Sequence, residues 1–130
     1  MKKKTVCILG MGYIGLPTAA FIADADYFVT GVDTSIEIVD GLNKGIVHIA
    51  EPNLSELVVS VMARGNLCVQ DIPCKADIFI ICVPTPLYKG GDKYSPNLTY
   101  VEAAMQSIAP LLQSGNLVCL LYTSDAADEV

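Results

Sequence analysis

Basic residues are scarce in this sequence. It has 8 lysines and arginines against 14 aspartates and glutamates, and its formal net charge is −6. The single basic cluster is residues 2–4, at the N-terminus. Because a nucleic-acid-binding surface needs clustered positive charge to neutralise phosphates, we expect no nucleic-acid partner.

Long hydrophobic runs are also absent. No apolar stretch approaches the roughly 20 residues that a transmembrane helix requires. Residues 2–4 are followed by a short apolar run and a glycine turn, not by the apolar segment and small-residue cleavage site of an export signal. We therefore expect a cytoplasmic chain without a membrane partner.

Residues that bind metals are few and scattered. The five cysteines include no C-x-x-C pair, and three of them lie in apolar runs, where cysteine behaves as a small hydrophobic residue. The one histidine, His48, has no evident partner in the sequence. We interpret it as a packed or surface residue near a turn rather than as a catalytic group or ligand. The sequence predicts a reduced chain without a structural metal.

A glycine-rich turn near the N-terminus is the most informative feature that is present. The apolar run 6–9 leads into Gly10, Gly12 and Gly15, which have the G-x-G-x-x-G spacing, and a helical apolar pattern follows. In a dinucleotide-binding turn the first glycine permits the tight turn, the second lets a pyrophosphate approach, and the third lets the helix pack closely. The pyrophosphate then lies at the positive end of the helix dipole.

An acidic residue follows at the distance that such a site requires. The second apolar run, residues 27–32, ends at Asp33, about twenty residues after the glycines. A carboxylate there binds a ribose hydroxyl and repels the additional phosphate of NADP. The alternative is a surface turn with an incidental aspartate, but the strand, turn, helix and strand pattern around it favours NAD binding.

The most apolar run, residues 78–83, predicts a central strand that is buried on both faces. It ends at Pro84-Thr85-Pro86, and because ligands of such sheets bind beyond the carboxyl ends of the strands, Thr85 should lie beside the same crevice as Gly12. The alternative is that the prolines only terminate the strand. Residues 87–97 are polar, with two glycines, and we interpret them as a loop and a candidate lid.

Apolar strand-like and helical patterns alternate along the chain. This alternation, with 52% hydrophobic residues, is typical of an α/β fold, a Rossmann-type doubly wound and mostly parallel sheet, here with about five strands. Helical spacing recurs at residues 36–42, 54–62 and 101–108, and short strands are predicted at 67–69 and from 117.

Several motifs together resemble the UDP-glucose/GDP-mannose dehydrogenase superfamily in its N-terminal NAD-binding domain. The matching stretches are residues 10–20, 31–33, 82–86, 47–54 and 97–110. The resemblance implies that NAD is the cofactor, that Tyr13 and Ile14 contact it in the glycine turn, that Asp33 holds the adenosine ribose, and that Thr85 lines the nicotinamide side. His48 and Glu51 also match a family motif, but no physical role follows for either.

Within the superfamily the last two stretches are most similar to the branch that oxidises UDP-N-acetyl-D-mannosamine at C6 to the uronate with two NAD. Dehydrogenases of UDP-N-acetylglucosamine and UDP-glucose are the alternatives, and the intact protein is expected to be a homo-oligomer. In the family a cysteine holds the aldehyde as a thiohemiacetal, and a lysine and a carboxylate assist thioester hydrolysis. Those groups belong to a downstream part, so we expect no catalytic residue in this chain.

The resemblance covers about residues 5–118 and breaks there. The family strand that begins at Leu117 should continue into a Glu-Ser-Thr motif, which this chain lacks. Residues 119–130 instead resemble the in-frame translation of a transposon-end adapter used in sequencing libraries. We therefore predict an incomplete NAD-binding domain at residues 1–118 and a non-native tail at residues 119–130.

Two other classes of protein remain open. A hydroxyacid dehydrogenase also begins with a glycine fingerprint and an aspartate, but residues 83–86 and the segment around His48 count against it. A non-catalytic NAD-sensing module is the second, and a gene without a downstream catalytic cysteine would support it.

Overall fold

The computed structural model describes residues 3–84, 87–90, 93–96 and 98–121. These residues form seven strands and four helices, and a short 3₁₀ turn at Ala109–Leu111 follows the last helix. The strands are β1 (Thr5–Leu9), β2 (Phe28–Val32), β3 (Leu67–Gln70), β4 (Ile78–Ile81), β5 (Leu87–Gly90), β6 (Lys93–Pro96) and β7 (Leu117–Leu120). The helices are α1 (Gly15–Asp24), α2 (Ile36–Asn43), α3 (Leu54–Ala63) and α4 (Thr99–Ile108).

Five of these strands form one parallel sheet in the order β3-β2-β1-β4-β7. The order reverses between β1 and β4, since β2 and β3 lie on one side of β1 and β4 and β7 lie on the other. In register, Leu9 faces Val32 of β2 and Ile81 of β4, so three carboxyl ends meet at the reversal point. The predicted doubly wound sheet of about five strands is confirmed, and its crevice lies where such sheets bind ligands.

The two faces of the sheet are buried in separate cores. Val6 and Ile8 of β1 point into one core, with side chains of α1, α2 and α3, whereas Cys7 and Leu9 point into the other, with Ile108 of α4. Alternation of side chains along a strand produces this division. Burial on both faces also explains why β4 and residues 6–9 of β1 are continuous apolar runs.

The interpretation of residues 87–97 as a polar loop is wrong for part of that segment. Leu87–Gly90 and Lys93–Pro96 form an antiparallel pair in which Leu87 is opposite Pro96 and Gly90 is opposite Lys93. Glycine and proline in this stretch were taken as signs of a loop. A glycine-containing sequence between two tyrosine-containing segments is equally typical of a short hairpin.

Candidate functional site

A cleft of about 780 Å³ opens at the carboxyl ends of β1, β2 and β4. Five of the predicted site residues line it: Gly10, Gly12, Tyr13, Ile14 and Asp33. They come from the turn after β1, the start of α1 and the end of β2. The sheet topology therefore brings together residues that are more than twenty positions apart in the sequence.

Gly10 makes the turn out of β1 at a position that other residues cannot occupy without strain. Its φ angle is +104°, and an added Cβ would lie 2.6 Å from the carbonyl oxygen of Cys82. Its N–H donates to the Val32 carbonyl oxygen at 2.7 Å, which ties the turn to the end of β2. This geometry is what the first glycine of the fingerprint is expected to provide.

Gly12 and Gly15 differ in what surrounds them. No atom lies within 4 Å of a Cβ added to Gly12, so that side of the turn is open to a ligand. A Cβ on Gly15 would fall on the Gly10 carbonyl oxygen, and Gly15 is buried and does not line the cleft. Gly15 therefore lets α1 pack against the turn, and Gly12 leaves space for a bound group.

The amino end of α1 presents unsatisfied donors. Among the described residues the N–H groups of Gly12, Tyr13 and Ile14 have no acceptor. Ile14 occupies the N-cap position without a side-chain hydrogen bond, and the first turn has no acidic residue. Uncapped N–H groups at the positive end of a helix dipole form an anion site, so the turn fits a pyrophosphate.

Asp33 lies across the turn from these donors. One of its carboxylate oxygens, Oδ2, accepts from the Met11 N–H at 2.9 Å, and Oδ1 accepts from the Ser35 N–H at 2.9 Å. An ionised carboxylate has about four acceptor positions, so two remain for ribose hydroxyls. Asp33 thus both stabilises the glycine turn and presents negative charge to the cleft.

Apolar side chains form the walls of the cleft, and the sequence did not indicate them. Ile72 follows β3 and is 65% exposed, while Tyr100 of α4 is 50% exposed, and Ile38 of α2 lines the same space. They offer flat apolar surface to a planar ring. No local pattern marks such residues, because they are brought to the cleft only by the packing of α2, α4 and β3.

Thr85 lies outside the described residues, so its predicted contact with the nicotinamide side stays a prediction. Its neighbours Val83 and Pro84 do line the cleft, on the β4 side of the reversal point.

Cys82 lies at the end of β4 and is the cysteine that lines the described cleft. Burial raises the pKa of its thiol to about 11, and burial likewise raises the pKa of Cys7 to about 11, with Cys74 beside it. A thiol with such a pKa is almost entirely protonated near neutral pH and is a weak nucleophile. These properties do not fit a catalytic cysteine.

The described residues also contain no helix that could cross a membrane. They hold no group of three or more histidine, cysteine or acidic side chains that could bind a metal ion.

The parallel sheet, the glycine turn at its reversal point and the acidic residue after β2 define a dinucleotide-binding domain of the Rossmann type. The family model for the UDP-glucose/GDP-mannose dehydrogenase family, NAD binding domain, matches residues 4–126. The chain belongs to this family, and NAD is its cofactor.

Individual relatives agree with this assignment. The chain is 51% identical over 119 residues to UDP-N-acetyl-D-mannosamine dehydrogenase of Campylobacter jejuni, covering 92% of this chain and 29% of that protein. It is 45% identical to NDP-N-acetyl-D-galactosaminuronic acid dehydrogenase of Ralstonia nicotianae, covering 93% and 28%. The chain thus spans less than a third of the length of these curated relatives.

Solved structures have the same fold. The UDP-N-acetyl-mannosamine dehydrogenase from Staphylococcus aureus superposes with a TM-score of 0.84 at 37% identity, covering 89% of this chain and 28% of that one. A UDP-glucose dehydrogenase from Pyrobaculum islandicum superposes with a TM-score of 0.80 at 29% identity, covering 92% and 28%. These matches confirm the family that the sequence motifs indicated.

Proposed function

We propose that this chain is the cofactor-binding part of a nucleotide-sugar 6-dehydrogenase whose substrate is UDP-N-acetyl-D-mannosamine. The observation that carries the proposal is the uncapped amino end of α1, with free N–H groups at Gly12, Tyr13 and Ile14, opposite the Asp33 carboxylate. Together they supply an anion site and a hydroxyl acceptor within one cleft.

Each residue has a separate task in this proposal. The N–H groups at the start of α1 bind the pyrophosphate, and Gly12 leaves room for it. Asp33 accepts hydrogen bonds from the adenosine ribose, while Ile72 and Ile38 contact the adenine. Thr85 lines the nicotinamide side. When bound, NAD supplies the acceptor for hydride from the alcohol carbon of the sugar.

The groups that perform the covalent chemistry belong, in this proposal, to the part of the protein that follows. Cys7 and Cys82 have raised thiol pKa values, so neither supports an attack on an aldehyde near neutral pH. The chain by itself is then inactive and holds only the cofactor half of the site. We further propose that residues 1–118 are an incomplete NAD-binding domain, that residues 119–130 are not native to it, and that the intact protein is a cytoplasmic homo-oligomer.

The substrate is inferred from the names of relatives. Relatives at 51% and 45% identity are named for UDP-N-acetyl-D-mannosamine, which favours that sugar. Others are named for an N-acetyl-galactosaminuronic acid and for UDP-glucose. The alternative substrates to compare are therefore UDP-glucose and, from the sequence motifs, UDP-N-acetylglucosamine.

NAD binding can be tested by calorimetric titration of the chain with NAD and with NADP. Because the Asp33 carboxylate repels a 2′-phosphate, we expect NAD to bind at least about tenfold more tightly than NADP. The variant Asp33→Asn removes the charge and should bring the two affinities closer together. The ratio of affinities is the readout, since asparagine has one acceptor oxygen for the two N–H donors of Met11 and Ser35, and loss of either bond loosens the turn and weakens both nucleotides. Tighter binding of NADP by the unmodified chain would contradict the proposal.

A further inference from the structure

The main chain of Met11, inside the glycine turn, is held from two sides. Its N–H donates to Asp33 Oδ2 at 2.9 Å, and its carbonyl oxygen lies 2.7 Å from Nε2 of His48. Its side chain is fully buried and occupies the space that a Cβ on Gly31 would need, with Sδ 2.6 Å from that position. Met11 is therefore the anchored residue between the two flexible glycines Gly10 and Gly12.

The contact with His48 has a geometric consequence for the cleft. In a trans peptide the carbonyl and the following N–H are coplanar and point in opposite directions. The chain has no cis peptide bond among its described residues, so fixing the Met11 carbonyl on His48 turns the Gly12 N–H away from His48. Gly12 lines the cleft and His48 does not. The imidazole thus fixes the orientation of a donor group that it does not touch.

The hydrogen bond also fixes the state of the imidazole ring. A backbone carbonyl can only accept, so the partner nitrogen must carry a proton. His48 is then the Nε2–H tautomer when neutral. Asp33 binds the other main-chain group of the same residue: its ionised carboxylate can only accept, and it accepts from the Met11 N–H.

The segment that carries His48 packs on the core through its neighbouring side chains, although the His48 residue itself is exposed. His48 lies between α2 and α3, and the next residue, Ile49, is 5% exposed and part of the core beneath α1 and α3. Val47 packs against the same core, and the Ile46 N–H donates to the Gly41 carbonyl oxygen at 2.8 Å. These contacts therefore fix the backbone on both sides of His48 and so position its imidazole beside the turn.

We propose that His48 is a positioning residue of the cofactor site, which orients the Met11–Gly12 peptide so that the Gly12 N–H faces the cofactor phosphates. For its effect on NAD affinity, this inference rests on the proposed function. Its effect on the turn itself is a property of the free protein. The two parts can be measured separately.

The first experiment examines the free chain by nuclear magnetic resonance. Because the chain has one histidine, its imidazole nitrogens are identified without ambiguity. We expect the neutral ring to be protonated at Nε2. In His48→Ala we expect the amide signals of Met11 and Gly12 to shift and broaden, and in His48→Gln, which retains a side-chain N–H donor, to return toward those of the unmodified chain.

The second experiment measures NAD affinity and thermal stability of the same variants. We expect His48→Ala to bind NAD about two- to tenfold more weakly, which is the usual worth of one hydrogen bond, and His48→Gln to recover part of the loss. The matched control is Asn43→Ala, which removes a side-chain donor from the Val69 carbonyl oxygen, at 3.2 Å, away from the cleft. It should lower stability as much as His48→Ala without changing NAD affinity.

Three outcomes would overturn the inference. A neutral ring protonated at Nδ1, or unchanged Met11 and Gly12 signals in His48→Ala, would show that the imidazole does not hold the peptide. Equal NAD affinity of His48→Ala and the unmodified chain would show that its hold does not matter for the cofactor. If the unmodified chain binds no NAD, the proposed function fails and the affinity part of the inference fails with it, while the spectra still decide the role of His48 in the turn.

Discussion

At the scale of single residues, the glycines of the turn show how one sequence pattern combines two physical requirements. Gly12 has open space where its Cβ would be, whereas a Cβ on Gly15 would overlap the Gly10 carbonyl oxygen. The first requirement concerns the ligand and the second concerns the fold. The spacing of the glycines in the sequence cannot distinguish them, but the packing around each Cα does.

This difference predicts that alanine at Gly15 mainly lowers stability, whereas alanine at Gly12 mainly weakens NAD binding. Gly15→Ala should lower the free energy of unfolding by about 1–3 kcal/mol or more, because backbone must move to admit the methyl group. Gly12→Ala should change it by less than about 1 kcal/mol, since alanine tolerates an ordinary φ angle. It should nevertheless weaken NAD binding more than about tenfold, because the methyl group enters the space for the pyrophosphate.

Urea unfolding and NAD titration of both variants check this prediction. Gly41→Ala is the control, because ordinary contact distances of 3.6 Å and 4.0 Å surround its added Cβ and it lies in α2, outside the cleft. A destabilised Gly12→Ala that binds NAD normally would contradict the separation of roles.

At the scale of elements, the parts that could be predicted from sequence are those that burial dictates. β4 and residues 6–9 of β1 are continuous apolar runs because both faces of the sheet are covered there. The helix α2 begins after Ser35, whose Oγ accepts from the Ile38 N–H at 3.4 Å. The hairpin β5–β6 was missed because glycine and proline mark both loops and tight turns. The cleft wall at Ile72 and Tyr100 was missed because exposure within a cleft depends on tertiary packing alone.

One buried polar residue connects several elements. Asn66, which is 7% exposed, precedes β3, and its Nδ2 donates to the Ala23 carbonyl oxygen at 3.0 Å and to Asp26 Oδ1 at 3.3 Å. Its main chain bonds to Val61 of α3 and Val29 of β2. Asn66 therefore links the carboxyl ends of α1 and α3 to the amino ends of β2 and β3, which lie at the end of the sheet opposite the cleft.

We expect Asn66→Ala to lower the free energy of unfolding by about 1–3 kcal/mol, because it removes the two hydrogen bonds that the buried Asn66 amide donates to the Ala23 carbonyl oxygen and to Asp26. Urea unfolding measures the change, with the exposed Asn43→Ala as the matched control. Because Asn66 is remote from the glycine turn, NAD affinity of the folded variant should equal that of the unmodified chain. Equal stability of the two alanine variants would show that the Asn66 contacts contribute little.

At the scale of the whole molecule, the exposed edge of the sheet and the length of the relatives both favour a further segment that packs on this edge. Among the described residues β7 is the outer strand beside β4, and its first side chain, Leu117, is 54% exposed. Exposed apolar side chains on an edge strand that pairs on one side only are typical of a surface that another segment covers. The curated relatives are more than three times longer than the matched region, which leaves ample chain to provide such a segment.

The proposed function therefore makes its strongest prediction for the protein encoded by the parental gene, read past codon 118. We expect the sequence to continue with Glu-Ser-Thr and a downstream catalytic cysteine. The purified protein should form about two NADH per UDP-N-acetyl-D-mannosamine consumed, since an alcohol carbon reaches the carboxylate level by losing two hydrides. Parallel assays with UDP-N-acetylglucosamine and UDP-glucose, followed by NADH absorbance and product mass, identify the preferred sugar. One NADH with a stable aldehyde would refute the four-electron oxidation, and a stop codon directly after residue 130 would refute the enzyme itself.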